Sequence, residues 1–318
     1  MLLVGLALAA GMAAAAPAGA PASKAAPPVD GRAAVQKLEQ ALSSDYPIVD
    51  VAGLYGDALK KNLAAGRYAG LSACGLADRL TGDLQAVHRD VHLRVYCKPP
   101  VAGPPPPPAE PIQTAAMVRD SVFVLASRKG WPLTEEACQA VVSAMARAKG
   151  AKYVVVDLRD NPGGTGIIGN LIASYFYALD ESHMLLRGSF RDHALDTQEG
   201  TYPYVPGPRI PDAKVFIAVN GRTASAAEGF AFGLQRAGRA TVVGQTTAGA
   251  GIAGSDLDLG AGIQAFVPLK LILAADGSKG WEGVGVTPDV QTEPGQELDK
   301  IASLISAELG DGQTLSLH

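Results

Sequence analysis

A surplus of charge of one sign is missing from this chain. Its 318 residues hold 27 Lys and Arg against 31 Asp and Glu, a formal charge of −4. No basic footprint exists to meet a phosphate backbone, so nucleic-acid binding is not expected. Metal-ligating side chains are scarce: there are five His and three Cys, with no C-x-x-C pair, and neither a metal site nor an organic cofactor is expected. Membrane-spanning length is lacking too. The apolar run Leu2–Ala16 rises about 22 Å at ~1.5 Å per residue, short of a hydrocarbon core of ~30 Å. It reads as a secretory signal over 1–20, cleaved after Ala16 or Ala20, although no Lys or Arg precedes it. The expected destination is the periplasm or the exterior, with no stable membrane insertion once the signal is removed. The odd cysteine count allows one bridge and one thiol in an oxidising compartment, with Cys74–Cys97 the preferred pair and Cys138 left over. Three buried thiols acting as apolar fillers are the alternative.

Apolar residues make up 47% of the chain, enough for a sizeable core. An Ala/Pro tether follows the signal over 21–32. Residues 33–98 read as a small helical domain, helical to about residue 90, with Val35, Leu38 and Leu42 at steps of three and four. Eight prolines between Pro99 and Pro111 form a stiff spacer over 99–112 or a long loop. From 113 to 309 apolar strands alternate with helices (SVFVLAS, YVVVDLRDNPGG, KVFIAVN, ATVVG), which implies an α/β sheet covered on both faces. Residues 310–318 are a tail.

Two segments carry chemistry. In KVFIAVNGRTASAAEGFA a strand runs through a turn into a helix opening at Ser225. A hydroxyl there could attack a carbonyl while the Ala226 amide faces the developing oxyanion. The competing reading is a capping box between Ser225 and Glu228, which needs no function. In YVVVDLRDNPGG the paired Gly163 and Gly164 offer unobstructed backbone amides at a strand's carboxyl end, or simply make a strand-to-helix turn.

Together DLRDNPGG, NGRTASAAEGFA, VVGQTTAGAG and EGVGVTPDV, in that order, resemble the C-terminal-processing (tail-specific) serine peptidases over most of 113–300. The resemblance implies a spiral ββα core like that of Clp protease and crotonase, with Ser225 as nucleophile. It also implies an oxyanion hole from Gly163 or Gly164 with Ala226, and peptide or unfolded-protein substrates bound as an added strand. One departure matters. The family's Lys base, about 25 residues after the nucleophile, is replaced by Ala250, and Lys270 and Lys279 lie in other motif contexts. The branch resembling tricorn protease and the interphotoreceptor retinoid-binding protein supplies a different base, which lands on His92 in LQAVHRDVHLRV, with Glu282 orienting it. In that branch Ser precedes the His, where this chain has Val91. His88, four residues before His92 and on the same expected helical face, is a lesser candidate. Arg159 is expected to brace the glycine loop, and Asp289 to make a structural turn. The expected function is an exported serine peptidase with a Ser225–His92–Glu282 site. A non-catalytic ligand- or peptide-binding protein on the same fold and a hydrolase of non-peptide esters are the alternatives.

Overall fold

The computed structural model describes residues 28–98, 109–119, 121–191, 196–310 and 315–317. The expected signal, most of the tether and most of the proline spacer therefore lie outside the described residues. Three amphipathic helices come first: α1 (Gly31–Asp45), α2 (Val49–Ala64) and α3 (Ala73–Val87). Asp30 caps α1 by accepting from the Arg32 amide at 3.0 Å, and Ser72 caps α3 by accepting from Gly75 at 3.2 Å. Such side-chain oxygens satisfy amides that have no partner inside the helix.

Helix α3 stops at Val87, and His88 is already extended, earlier than the expected end near residue 90. Side-chain-to-backbone bonds that compete with the helix are the cause. The Gln85 amide donates to the carbonyls of Asp90 and Leu93 at 2.6 and 2.8 Å. The Asp90 carboxylate in turn accepts from the amides of His92 and Leu93 at 2.8 and 3.1 Å. His88 and His92 therefore share no helical face, which corrects the reading of them as neighbours one turn apart.

After β1 (Arg94–Cys97) the chain runs β2 (Thr114–Arg119), β3 (Val122–Ala126), α4 (Glu135–Ala146), β4 (Tyr153–Asp157) and α5 (Gly166–Ser174). It continues through β5 (Met184–Phe190), β6 (Thr197–Gly200), β7 (Lys214–Val219), α6 (Ala226–Arg236) and β8 (Ala240–Gly244). Last come β9 (Ile252–Gly260), β10 (Ile263–Ala274), β11 (Val290–Gln291) and α7 (Glu297–Leu309). Six strands form one sheet in the order β11-β8-β7-β4-β3-β2, parallel except for β2. Its apolar strands are covered on both faces, as unbroken apolar runs require. Phe123, Val154, Val156 and Ile217 pack with α4, α5 and α6 on one face. Val124, Val155 and Phe216 pack with Leu298, Ile301 and Ile305 of α7 on the other.

A second, antiparallel sheet has the order β1-β10-β5-β6, with β9 also paired to β10. The N-terminal helices do not close on themselves. Leu38, Tyr55, Leu80 and Leu84 share one core with Val95, Ile252, Ile263 and Val267 of this sheet. Helix α3 is also joined covalently to β1, because Cys74 and Cys97 form a disulfide; Cys138 is a free thiol. The bridge spans 23 residues and encloses the whole His88–Leu93 turn.

Replacing both half-cystines by alanine should lower the unfolding free energy by about 3 kcal/mol through the freed loop entropy. Urea unfolding of the wild type and the double variant measures it, and an unchanged midpoint would contradict a structural role for the bridge.

Candidate active site

Strand β7 ends in Asn220, and the chain turns through Thr223, whose hydroxyl donates to the Leu158 carbonyl at 2.9 Å. Ser225 follows at the mouth of α6 with φ 54° and ψ −122°, a conformation that costs a non-glycine residue about 1–3 kcal/mol. It is held there by Glu228, fully buried one turn into the helix. The Glu228 carboxylate accepts from the Ser225 amide, from the Thr247 hydroxyl, and from the amides of Gly249 and Ala250, each of the three amides at 2.8 Å. Burial raises the Glu228 carboxyl above its ordinary value, and those four donors offset only part of the rise. Both halves of the expected capping box are present, but Glu228 does more than cap: it ties the Ser225 turn to the TTAGAG loop. Nothing in a Ser-x-x-Glu spacing announces the other three donors.

The glycine turn packs directly on this element. A Cβ on Gly163 would lie 2.7 Å from Ser225 Cβ and 2.8 Å from the Ala226 nitrogen, and Gly163 has φ 92°. Both facts require glycine there. Buried Asn161 fixes the turn by donating to the Ser127 carbonyl at 2.6 Å and accepting from the Gly163 amide at 2.8 Å. Its carbonyl accepts from the Ala224 amide at 2.9 Å. The Gly163 N–H is therefore committed, whereas the amides of Gly164 and Ala226 have no partner among the described residues. Gly164, Ser225, Ala226 and Ala250 line one cavity of about 140 Å³. Arg159 does not touch the glycines: it pairs with Asp157 at 2.8 Å and with Glu297 of α7 at 3.3 Å. Asp289 accepts from the Val242 amide at 2.8 Å, a structural tie.

Glu282 sits one loop away. Its carboxylate accepts from the Gly251 amide at 2.5 Å, the residue after the one that binds Glu228. Burial first, and then the Asp90 and Glu228 carboxylates, push the Glu282 carboxyl up to about 7, against the amides of Gly251 and Ile252. His92 is placed differently. Its ring stacks on Phe266 of β10 with centroids 5.7 Å apart, its Nδ1 is buried without a partner, and burial lowers its pKa. Among the described residues no hydrogen bond joins His92 to Ser225 or to Glu282. Ile263, Ala265 and Val267 of β10 face the helical core; a bulge between Pro268 and Lys270 separates Phe266 from Lys270 and Ile272, which line the Ser225 cavity. His88 lines a different hollow, with Glu282, Val91 and Lys279. His183 stacks on Tyr177 with centroids 4.0 Å apart and keeps a partly exposed side chain beside Glu181.

Lys270 is the residue that sequence reasoning set aside and the fold brings in. It lines the Ser225 cavity, with its ammonium paired to Glu199 at 2.6 Å. Ala250 is buried and leaves no cation at the place it fills. Among the described residues no cluster of metal-ligating side chains occurs.

Residues 123–292, just over half of the chain, match the sequence profile described as Peptidase family S41. Carboxyl-terminal-processing peptidase 1 of the Arabidopsis thaliana chloroplast is 33% identical over 148 residues, which is 46% of this chain and 28% of that protein. The chain thus spans less than a third of the length of the curated relatives it matches. In fold it is similar to a lipoprotein from Streptococcus agalactiae, with TM-score 0.61 and 13% identity over 88% of this chain and 98% of that one. The tricorn protease aligns with TM-score 0.58 and 14% identity, over 87% of this chain and 36% of that one. The fold is accordingly α/β of the Clp-protease-like kind.

Two outcomes test this geometry. Ser225→Gly should match or exceed wild-type stability by about 1 kcal/mol, because glycine relieves the positive φ; a clear loss in thermal unfolding would contradict the strain. The raised Glu282 carboxyl favours folding fully below its ordinary value of about 4.5, and that contribution is lost as pH rises through about 7. Glu282→Gln should flatten the stability profile between those limits, and a profile as steep as wild type would contradict the burial.

Proposed function

The chain belongs to peptidase family S41, and on that footing we propose that it is a serine peptidase that cleaves peptide or unfolded-protein substrates with Ser225 as nucleophile. One observation carries the reading: the strained Ser225 opens into a cavity beside two backbone amides, Gly164 and Ala226, that have no partner among the described residues. A helix mouth with uncommitted N–H groups is where an oxyanion gains most.

In this reaction Ser225 Oγ attacks the scissile carbonyl carbon, and its proton passes to the neutral imidazole of His92. The carbonyl oxygen, now an oxyanion, is held by the Gly164 and Ala226 amides. Collapse breaks the C–N bond, and the amine leaves with the proton from His92. Water then hydrolyses the ester by the same steps, restoring Ser225. His92 suits the role because burial keeps it neutral at neutral pH and because its Nδ1 has no other partner. Glu282 orients the ring once His92 swings from Phe266 toward Ser225; catalytic hydrogen bonds commonly tighten only when substrate is bound. With Ala250 in place of the family's lysine and Lys270 tied to Glu199, this reading assigns the base to the His92 imidazole.

Export to an oxidising compartment, periplasmic or secreted, is part of the proposal. The Cys74–Cys97 bridge supports it. No helix among the described residues is long and apolar enough to cross a membrane.

A carrier of ligands on the same fold is the second reading, favoured by the lack of any bond between Ser225 and His92. A fluorophosphonate probe separates the two. Covalent labelling should occur on wild type and vanish in Ser225→Ala, with thermal unfolding unchanged. Labelling should weaken as pH falls through the His92 titration, below the usual ~6.5, and should drop by about 10²-fold or more in His92→Ala. Wild-type protein that resists the probe would leave the carrier reading.

A further inference from the structure

The cavity beside Ser225 has two unlike ends. Leu186, Phe230 and Ile272 form apolar walls, and Lys270, Glu199 and Asn170 gather at a polar end. Lys270 reaches that end by an unusual path. It leaves β10, crosses β5 over Gly188, and meets Glu199 and Thr197 of β6 at 2.6 and 3.4 Å. A Cβ on Gly188 would lie 2.5 Å from Thr197 Oγ1 and closer still to Lys270 Cδ, so only glycine leaves the lysine its track. The two side chains are mostly buried, with 18% and 24% of their surface exposed. A buried ion pair gives little net stability in exchange for its desolvation, so folding alone does not account for this one.

Its valences are also incompletely used. An ammonium has three protons; one goes to Glu199 and a second reaches Thr197 at long range. Glu199 accepts through Oε1, and its Oε2 has no donor among the described residues. The Asn170 carboxamide likewise has no partner there. The polar end therefore presents a spare donor, a spare acceptor and no net charge, beyond apolar walls, in a volume of about 140 Å³. A cavity of that order takes up a group the size of benzene.

We propose that this cavity receives the side chain of the residue whose carbonyl Ser225 attacks, and that the Lys270–Glu199 pair selects an uncharged side chain ending in both a donor and an acceptor, glutamine being the best match. The proposal rests on Ser225 as nucleophile: because Ser225, Ala226 and Gly164 line the same cavity, a carbonyl held at the first places its own side chain in it. The glutamine carbonyl accepts from Lys270 and its NH₂ donates to Glu199 Oε2. A lysine or glutamate side chain would bring an uncompensated charge into the cavity. Leucine fits the walls but leaves the spare donor and acceptor unpaired.

Peptidyl phosphonates that differ only in this side chain test the idea, read as rates of covalent inactivation. The glutamine analogue should react about tenfold or more faster than the leucine analogue, with the glutamate and lysine analogues slowest. In the double variant Lys270→Met/Glu199→Gln the order of glutamine and leucine should reverse. Equal rates, or leucine fastest on wild type, would overturn the selectivity while leaving Ser225 as nucleophile. The wild-type series decides this even where the double variant does not fold. If a simple fluorophosphonate fails to label Ser225 at all, the nucleophile reading falls and the pocket assignment falls with it.

Discussion

A single buried carboxylate, that of Glu228, holds the site together. It accepts four hydrogen bonds from two separate stretches of chain, and without them burying a charge there would be prohibitively costly. Those bonds set the Ser225 turn against the 247–250 loop. Thr247 passes the constraint on, because its hydroxyl oxygen also accepts from the Val286 amide at 2.7 Å. Gly251, next along the same loop, positions Glu282. The Ser225 turn and Glu282 are therefore two ends of one hydrogen-bonded frame.

On the opposite side the frame is closed by Asn161. It spends its side chain and carbonyl on Ser127, Gly163 and Ala224, which presses the glycine turn onto Ser225 until only glycine fits. The strained backbone at Ser225 survives because both neighbours are over-determined in this way. Rigidity of this kind costs nothing at the moment of reaction, which is what an oxyanion site needs. His92 lies outside the frame. It is fixed through Asp90, Gln85 and the disulfide-closed turn rather than through Ser225.

How much of this was legible followed from how local each signal is. The parallel sheet was readable because Val154–Val156 and Val215–Val219 are unbroken apolar runs between helical patterns, and the α7 stretch from Glu297 to Leu309 shows its periodicity plainly. The second sheet was missed. Two of its strands are polar, TQEG of β6 and IAGSDLDLG of β9, and the pairing of the long apolar β10 with distant strands leaves no local mark. The end of α3 was misjudged because Gln85 and Asp90 stop it through side-chain bonds, with neither Gly nor Pro to flag the place. Ser225, Gly164 and Ala226 were found through their motifs, and the structure draws them together. Lys270 was dismissed because motif context says nothing about a side chain that crosses a neighbouring strand over Gly188. The place of His92 on Phe266 was likewise invisible, since it depends on the pairing of β1 with β10.

For Ser225 to act as the nucleophile, the His92 imidazole must reach it once a tetrahedral species occupies the site. A crystal structure of the phosphonylated protein measures this directly. We expect the phosphoryl oxygen within hydrogen-bonding distance of the Gly164 and Ala226 amides, and the His92 ring lifted from Phe266 to within about 3 Å of Ser225 Oγ. An adduct whose oxygen faces solvent while His92 stays stacked on Phe266 would contradict it.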